Sequence, residues 1–272
     1  MTGFVVCLQF FVTFAGVINF LNKYYSIMKK ISLFFVFLMM SVASFTVAAG
    51  NDVHGDLNGD GKVSITDVTT LINYLLSGTW PEVTHGYVDL GLPSGTLWAT
   101  CNIGAYSPED YGDYIAWGET APRDYYEWVT YKWCNGSSSS LTKYNFTDSK
   151  IELDLEDDAA YVNWGPSWRM PTRDQMDELK SSCSWQWVQY NGVNGQLGTG
   201  PNGNKIFLPA AGSRRGTGYE LVGSYGRYWS RNLIGRAEPT ATGLFLLSAT
   251  VNTSYYDRCE GLTIRPVRAP QE

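Results

Sequence analysis

Oxygen-bearing side chains alternate along residues 56–67 at the spacing of a calcium-binding loop. Positions 1, 3 and 5 of this segment are Asp, Asn and Asp, and the Gly at position 6 permits the sharp turn that such a loop makes. The Lys at position 7 supplies a backbone carbonyl, Ser64 at position 9 can hold a water, and the Asp at position 12 closes the shell. The pattern predicts a Ca²⁺ site whose ligands are Asp56, Asn58, Asp60, Lys62 and Asp67.

An amphipathic helix is predicted directly after this loop. Its apolar residues recur at i, i+3, i+4, i+7 and i+8, which places them in one stripe. Gly78 and the Trp80-Pro81 pair end the helix. Residues 28–49 are predicted below to be a signal peptide that is removed before Gly50. Residues 50–55 then precede the loop, and they are too few for the entering helix of an EF-hand. The unit is therefore one loop and one helix, and it needs a surface to cover the stripe formed by Val68, Leu71, Ile72, Leu75 and Leu76.

Residues 55–78, GDLNGDGKVSITDVTTLINYLLSG, resemble one repeat of a type I dockerin. Dockerins also carry Asp at position 12, where an EF-hand usually has Glu. The resemblance implies calcium binding and docking onto a cohesin-like module of a polysaccharide-degrading assembly. Two repeats pack together in that family, whereas this sequence contains one. We expect a dockerin-like unit at 50–80 and a linker at 81–86.

The first 49 residues have the composition of an export signal. Met28-Lys29-Lys30 is a positive start, Ile31–Val42 is apolar, and Val47-Ala48-Ala49 supplies small residues before a cleavage site at Gly50. This pattern predicts a signal peptide at 28–49, with residues 1–27 reflecting a start codon assigned too early. The alternative is two membrane spans, at Phe4–Leu21 and Ile31–Ala49. Both interpretations predict a secreted or cell-surface protein with no other membrane contact.

The charge of the exported part is acidic. Residues 1–49 contain three Lys and no acidic residue, which leaves 17 of the 20 basic residues and all 26 acidic residues in the rest of the chain. No run of Lys or Arg offsets this excess. Because nucleic acids and anionic lipids need a positive field, we expect neither as a partner.

Four cysteines remain after the predicted cleavage, spread over the larger domain. An oxidising compartment permits two disulfides in any of three pairings, while small buried thiols are the alternative. Long, irregular intervals leave this choice open. Zinc is not expected, since His54 and His85 both lie outside the region that holds Cys101, Cys134, Cys183 and Cys259.

Short alternating or apolar runs separated by Gly, Pro and Asn begin near residue 86 and indicate a β-rich domain. Asn202-Gly203 predicts a turn. The predicted strands are Tyr87–Leu90, Thr96–Asn102, Tyr114–Trp117, Lys205–Leu208, Gly243–Val251 and Leu262–Val267.

One helix stands out in this domain. Thr172 and Gln175 have the spacing of a capping box, and Met176, Leu179 and Cys183 share one side of the segment that follows. Residues 135–140 predict a flexible loop, and the acidic segment 152–158 predicts a surface stretch that is also compatible with a helix. Few helices among many strands indicate an α+β fold.

Six ordered blocks carry a second resemblance, namely YVDLGLPSGTLWATCNIGA, YGDYIAWGET, NWGPSWRMPT, NGNKIFLPAAGSR, GRYWSRN and GLTIRPVR. Together they resemble the Fibrobacter succinogenes major paralogous domain, common in exported proteins of gut Bacteroidetes. The resemblance implies a C-type lectin-like fold over residues 87–268 and supplies no catalytic residues. Each block also has a structural interpretation: Trp168 is suited to a core, and Thr172 to a helix cap.

Catalytic patterns in the larger domain are weak. Formylglycine-generating enzymes contain similar sequence segments. They need two closely spaced cysteines near the chain end, and Cys259 has no such neighbour. A serine or cysteine triad lacks its usual His. Carboxylate pairs remain open among Asp110, Asp113, Glu119 and Asp124, although acidic loop residues are mostly solvated surface.

Crowded aromatic residues are compatible with a platform for sugar rings, although core packing is their commoner role. The sequence favours an exported, calcium-binding, non-catalytic adhesion module that binds a glycan or a surface protein. The alternative is a dockerin-bearing accessory or catalytic component of polysaccharide degradation. The aromatic residues concerned are Tyr125, Tyr126, Trp128, Tyr131 and Trp133, together with Trp185 and Trp187.

Overall fold

The computed structural model describes residues 64–77, 85–236 and 238–269. All of them belong to a compact unit that spans 53–272. The predicted signal peptide, the alternative membrane spans and most of the calcium loop lie outside the described residues. Within the described part of the chain, no helix combines the length and the apolar character required to cross a bilayer.

Three α-helices are described. The first, α1, is Ile65–Ser77 and corresponds to the predicted amphipathic helix. The second, α2, is Ala159–Trp164, and the third, α3, is Arg173–Ser182. Two 3₁₀ turns, at Trp128–Thr130 and Leu155–Asp157, complete the helical content of the part of the chain that the structure describes.

The start of α3 confirms the predicted capping box. Thr172 accepts the backbone N–H of Gln175, and the Gln175 side chain accepts the backbone N–H of Thr172. Met176, Leu179 and Cys183 are all buried on the side that faces the core. The local sequence therefore sets both the first residue and the buried face of this helix.

Among the described residues, thirteen short strands form four antiparallel sheets. Their orders are β1-β2-β13, β11-β10-β9, β3-β12-β7-β8 and β4-β5-β6. This content confirms a β-rich domain with few helices. The strands are β1 Tyr87–Asp89, β2 Leu97–Ala99, β3 Ile115–Ala116, β4 Ser184–Tyr190, β5 Val193–Thr199, β6 Lys205–Pro209, β7 Ser213–Arg215, β8 Gly218–Glu220, β9 Gly226–Leu233, β10 Thr240–Leu247, β11 Thr250–Asp257, β12 Gly261–Leu262 and β13 Val267–Arg268.

Two predicted strands have the wrong boundaries. The segment predicted as one strand at Gly243–Val251 contains the turn of a hairpin, in which Leu247 pairs with Thr250. The segment predicted at Leu262–Val267 is divided between β12 and β13. The predicted turn at Asn202-Gly203 is confirmed between β5 and β6, where Gly203 has a φ of 87°.

Two tryptophans connect the core elements. The indole N–H of Trp117 donates to the carbonyl of Ser230 on β9 at 2.9 Å, and the indole N–H of Trp229 donates to the carbonyl of Ile115 on β3 at 2.8 Å. Both rings are fully buried. Satisfying a buried indole N–H in this way avoids the cost of leaving it unpaired, so the two bonds tie β3 to β9.

The acidic segment 152–158 is not wholly at the surface, which corrects the sequence prediction. Asp157 and Asp158 are each 1% exposed. The Asp157 carboxylate accepts hydrogen bonds from Tyr144 Oη and Lys143 Nζ, both at 2.6 Å. Lys143 also lies 2.8 Å from Asp154, so one ammonium is shared by these two carboxylates.

Candidate functional site

Asp67 is the one predicted calcium ligand that falls among the described residues; Asp56, Asn58, Asp60 and Lys62 lie outside them. It is the third residue of α1. Its Oδ2 accepts the backbone N–H of Ser64 at 2.6 Å, and its own N–H donates to the Ser64 carbonyl at 3.2 Å. This reciprocal contact fixes the first turn of the helix at the end of the predicted loop.

The environment of Asp67 fits the predicted cation. The residue is 2% exposed, and a buried carboxylate is costly unless a positive charge or hydrogen-bond donors compensate it. Two further carboxylates and one amide oxygen precede it within the loop. Hard oxygen donors of this kind are the ligands that calcium takes.

The apolar stripe of α1 is exposed towards its C-terminal end. Val68 and Leu71 are half-buried, whereas Leu75 and Leu76 are 65% and 81% exposed. Exposed leucines on successive positions of an amphipathic helix are typical of a contact surface for a partner. The helix that follows the predicted calcium loop therefore presents apolar side chains at the end away from the loop.

A groove of about 620 Å³ in the larger domain is lined by three arginines and no acidic residue. Arg169 precedes α3, Arg231 lies on β9, and Arg268 lies on β13. The opposite wall carries neutral polar side chains. The residues that matter for its chemistry are Ser94, Thr96, Arg169, Gln175, Arg231 and Arg268.

Arg169 and Arg268 are positioned by aromatic rings and carbonyls. Arg169 Nη1 donates to the carbonyls of Pro166 at 3.0 Å and Trp168 at 2.6 Å, and its guanidinium lies 4.4 Å from the Tyr161 ring centroid. The Arg268 guanidinium lies 5.0 Å from the centroid of the Tyr87 ring and 5.5 Å from that of Trp168. Within the described ranges, neither arginine forms an ion pair with a carboxylate, so their charges are not neutralised by the protein there.

Arg231 differs from the other two arginines because Glu152 pairs with it. Its Nε lies 2.8 Å from a carboxylate oxygen of Glu152. The groove therefore holds two uncompensated guanidinium groups beside one that is partly neutralised. Its local charge is opposite to the net charge of −6 that the whole chain carries.

Hydrogen bonds fix the neutral polar side chains of the groove, Ser94, Thr96 and Gln175. Ser94 donates its backbone N–H and its hydroxyl to Glu178, at 2.8 and 2.5 Å. The Ser94 and Thr96 hydroxyls lie 2.7 Å apart, and the Gln175 amide donates to Thr96 Oγ1 at 3.2 Å. These contacts connect the turn before β2 to the first turns of α3 and hold the polar groups in place.

His85 lies where the chain enters the larger domain. Its ring stacks on Trp164 with 3.8 Å between the centroids and 8° between the planes, and it meets the edge of Trp168. Burial lowers the pKa of His85 from 6.5 to about 4. A neutral imidazole therefore fastens the start of the domain to α2 at physiological pH.

The acidic residues considered for catalysis serve local structure. Asp110 accepts the backbone N–H of Ser107 at 2.9 Å, and Glu119 lies 3.0 Å from Arg123 and accepts the N–H of Lys132 at 2.9 Å. The Asp113 carboxylate packs against Gly104, and Asp124 is exposed. Backbone hydrogen bonds in loops and a largely buried ion pair account for the positions of Asp110 and Glu119.

The aromatic residues considered for sugar stacking are mainly part of the core. Tyr126 is fully buried and Tyr131 is 3% exposed, while Trp133 packs against the same cluster and donates its indole N–H to Gly118. Trp185 packs beside α3, where its indole N–H donates to the Lys180 carbonyl at 3.1 Å. Core packing, the commoner role, is thus observed for these four side chains, whereas Tyr125 is 44% exposed.

No disulfide links the four cysteines of the larger domain, all of which are described. Burial raises the pKa of Cys183 to about 11 and that of Cys259 to about 12, and it also raises the pKa of Cys101. These thiols are protonated at neutral pH and are poor nucleophiles. Cys183 and Cys259 are buried thiols, whereas Cys101 and Cys134 are half-buried.

Comparison with known families gives a match to a segment that includes α1 and β1. The dockerin type I domain model matches residues 54–91. The matched segment contains all five predicted calcium ligands and α1, and it extends to β1. Type I dockerin domains bind calcium, and they bind cohesin modules. Searches of curated proteins and of solved structures gave no match.

Sequence inspection did not single out the arginine groove. Arg169 and Arg268 stand in the blocks NWGPSWRMPT and GLTIRPVR, whose residues have structural interpretations. They are separated by almost a hundred residues, and an antiparallel bridge between Arg169 and Val267 brings them together. Isolated arginines carry no spacing pattern, so this convergence depends on the tertiary fold.

Proposed function

We propose that this chain is an exported binding protein in which a calcium-dependent dockerin-type segment attaches a non-catalytic, β-rich domain to a cohesin-like partner. The match at residues 54–91 is the observation that carries this proposal. The exposed apolar end of α1 supports it, because a docking helix needs apolar side chains that are accessible to a partner. The calcium ligands are Asp56, Asn58, Asp60, Lys62 and Asp67.

The larger domain, at residues 87–268, is the ligand-binding part in this proposal, and we assign it to the C-type lectin-like fold of the Fibrobacter paralogous family. Short antiparallel strands, long connections and few helices support the assignment. Its ligand is a glycan or a surface protein. The arginine groove supports a binding role because it offers fixed polar groups in a concave site.

A second candidate is that the chain serves polysaccharide degradation as an accessory or catalytic component. The dockerin match favours this candidate, since cohesin binding would bring the chain into a larger assembly. Turnover assays on plant and host glycans distinguish the two functions. Formation of degradation products by the purified chain would support catalysis. Glycan binding without product formation would support the first proposal.

Export through residues 28–49 is part of the proposal. The mature chain would begin at Gly50 and remain secreted or associated with the cell surface. N-terminal sequencing of the protein from the culture medium tests this directly. Recovery of residues 1–27 would contradict it.

Cohesin capture tests the attachment role. A panel of immobilised cohesins is incubated with the secreted chain in calcium and in a chelator. We expect retention in calcium, release by the chelator and at least tenfold weaker binding after Leu75→Asp or Leu76→Asp. Val129→Asp is the matched control, because Val129 is 69% exposed on the larger domain. Equal retention with and without calcium would contradict the proposal.

A further inference from the structure

We infer that the groove around Arg169 and Arg268 binds a carboxylate-bearing saccharide, such as a chain of uronic acids or a sialylated glycan. This inference rests on the proposed ligand-binding role of the larger domain and names the chemical class of its ligand. The juxtaposition of two guanidinium groups that no carboxylate neutralises among the described residues is the observation behind it.

The geometry of the two arginines suits a planar anion. Arg169 uses Nη1 to donate to two main-chain carbonyls, and no described residue accepts from its Nε or Nη2. The Nε of Arg268 is buried, so Arg268 contributes its positive charge to the groove lining and not this donor. Since a guanidinium presents parallel N–H groups that match the two oxygens of a carboxylate, the Nε and Nη2 donors of Arg169 favour a bidentate ligand.

Burial of part of each arginine strengthens the argument. The Arg268 guanidinium lies over the rings of Tyr87 and Trp168, within 5.5 Å of each centroid, and that of Arg169 lies over the ring of Tyr161. Stacking fixes the orientation of a guanidinium, so less conformational entropy is lost when an anion binds. An ordinary solvated surface arginine does not have this arrangement.

The neutral polar side chains of the groove explain why the ligand is a saccharide and not a simple anion. Ser94, Thr96 and Gln175 line the groove with hydroxyl and amide groups, which are held by bonds to one another and to Glu178. Neutral polar groups that can both donate and accept are suited to sugar hydroxyls. A volume of about 620 Å³ accommodates more than a small inorganic ion.

The ligand's charge is tested by isothermal titration of the secreted, calcium-loaded chain with paired sugars. Oligogalacturonate is compared with its methyl ester, and sialyllactose with lactose, so that each pair differs in the carboxylate. We expect one acid of the two pairs to bind, its neutral counterpart to bind at least tenfold more weakly, and the affinity to fall with added salt. The acid that binds distinguishes a plant uronate from a host sialate.

The site is tested by substitution. We expect Arg169→Gln and Arg268→Gln each to weaken the acid at least tenfold, whereas Lys205→Gln removes the same charge from an exposed position outside the groove lining and leaves binding unchanged. Thermal unfolding of each variant verifies that it is folded. If a Gln variant unfolds, the contrast between acid and ester still decides the question.

Three results would overturn the inference: no binding of either acid at millimolar concentration, equal binding of acid and neutral sugar, or full affinity in both folded arginine variants. Retained cohesin binding in the same preparation shows that a failure concerns the ligand class and not the attachment role.

Discussion

The carboxylate of Asp158 accepts the backbone N–H of Met170 at 3.0 Å, although the two residues are separated by α2 and the turn that follows it. Its Oδ1 also accepts the N–H groups of Ala160 at 2.9 Å and Tyr161 at 3.1 Å. Asp158 thus caps α2 and holds the segment that carries Arg169 into the groove. One buried side chain connects local structure to the candidate site.

Replacing Asp158 should therefore destabilise the larger domain. Asp158→Ala leaves the N–H of Met170 and the first N–H groups of α2 without their acceptor, which we expect to cost about 2 to 4 kcal/mol. Asp158→Asn keeps one oxygen and should cost less. Urea unfolding measures both, with the exposed Asp124→Ala as a control that changes stability by less than about 0.5 kcal/mol. An Asp158→Ala variant as stable as this control would refute the role.

Arg258 provides a second test of buried polar structure. Its guanidinium is fully buried, donates to Tyr131 Oη and to the carbonyls of Lys143, Tyr144 and Glu238, and lies 5.1 Å from the Trp117 ring centroid. Lysine has one ammonium and cannot span these acceptors. We expect Arg258→Lys to lower the free energy of unfolding by about 2 to 3 kcal/mol.

The exposed Arg236 supplies the control for this substitution. Arg236→Lys should leave the urea midpoint unchanged. If Arg258→Lys behaved in the same way, the bonds to the carbonyls would not contribute to stability.

Part of this architecture could be predicted from the sequence because it depends on short-range chemistry. The capping box at Thr172 and Gln175, the turn at Gly203 and the amphipathic helix after the loop all require residues within a few positions of one another. The roles of Asp158 and Arg258 could not be predicted, since a charged residue in a polar segment usually remains solvated. Their burial arises from acceptors and donors that the fold brings from distant segments.

Glu260 makes the stability of the domain depend on pH. Burial raises its pKa from 4.5 to about 7; Asp257 adds to the rise, while Arg227 and Arg215 oppose it. The folded state therefore holds this proton more tightly than the unfolded chain. Its contribution to stability is complete below pH 4.5 and is lost as pH rises through about 7.

The substitution Glu260→Gln should accordingly stabilise the protein at pH 8, by on the order of 1 kcal/mol, and have little effect at pH 4.5. Thermal unfolding between these two values measures the change. Glu238→Gln, at an exposed position, should leave the pH profile as it is. A wild-type profile in Glu260→Gln would contradict a raised pKa.

The free cysteines predict that the thermal stability of the protein does not depend on reductant. All four thiols of the larger domain are free in the structure, so a reducing agent should not change Tm. Under denaturing conditions maleimide should label each of them. In the native protein, the buried Cys183 and Cys259 should react more slowly than the half-buried Cys101 and Cys134. If the intact mass of the native protein were lower than that of the reduced protein by the mass of the hydrogens lost, a disulfide would be present instead.

The strands were less predictable than α1 and α3, and α2 was not predicted. The sequence predicted parts of β1, β2, β3 and β6 from apolar runs, but the hairpin of β4 and β5 was missed. On one strand Trp185 and Trp187 alternate with Ser184 and Gln186 until Val188 breaks the alternation. The other strand contains two glycines, so no clear apolar run appears. The arginine groove was missed for a related reason, since its lining comes from separate elements.

Calcium titration tests the central claim most directly. Isothermal titration of the metal-free secreted chain should show saturable binding of calcium with a Kd on the order of 10⁻⁴ to 10⁻³ M. Asp60→Ala should abolish the heat, whereas Asp124→Ala should preserve it. Absence of binding in the wild-type chain, or unchanged binding in Asp60→Ala, would contradict a calcium loop at residues 56–67.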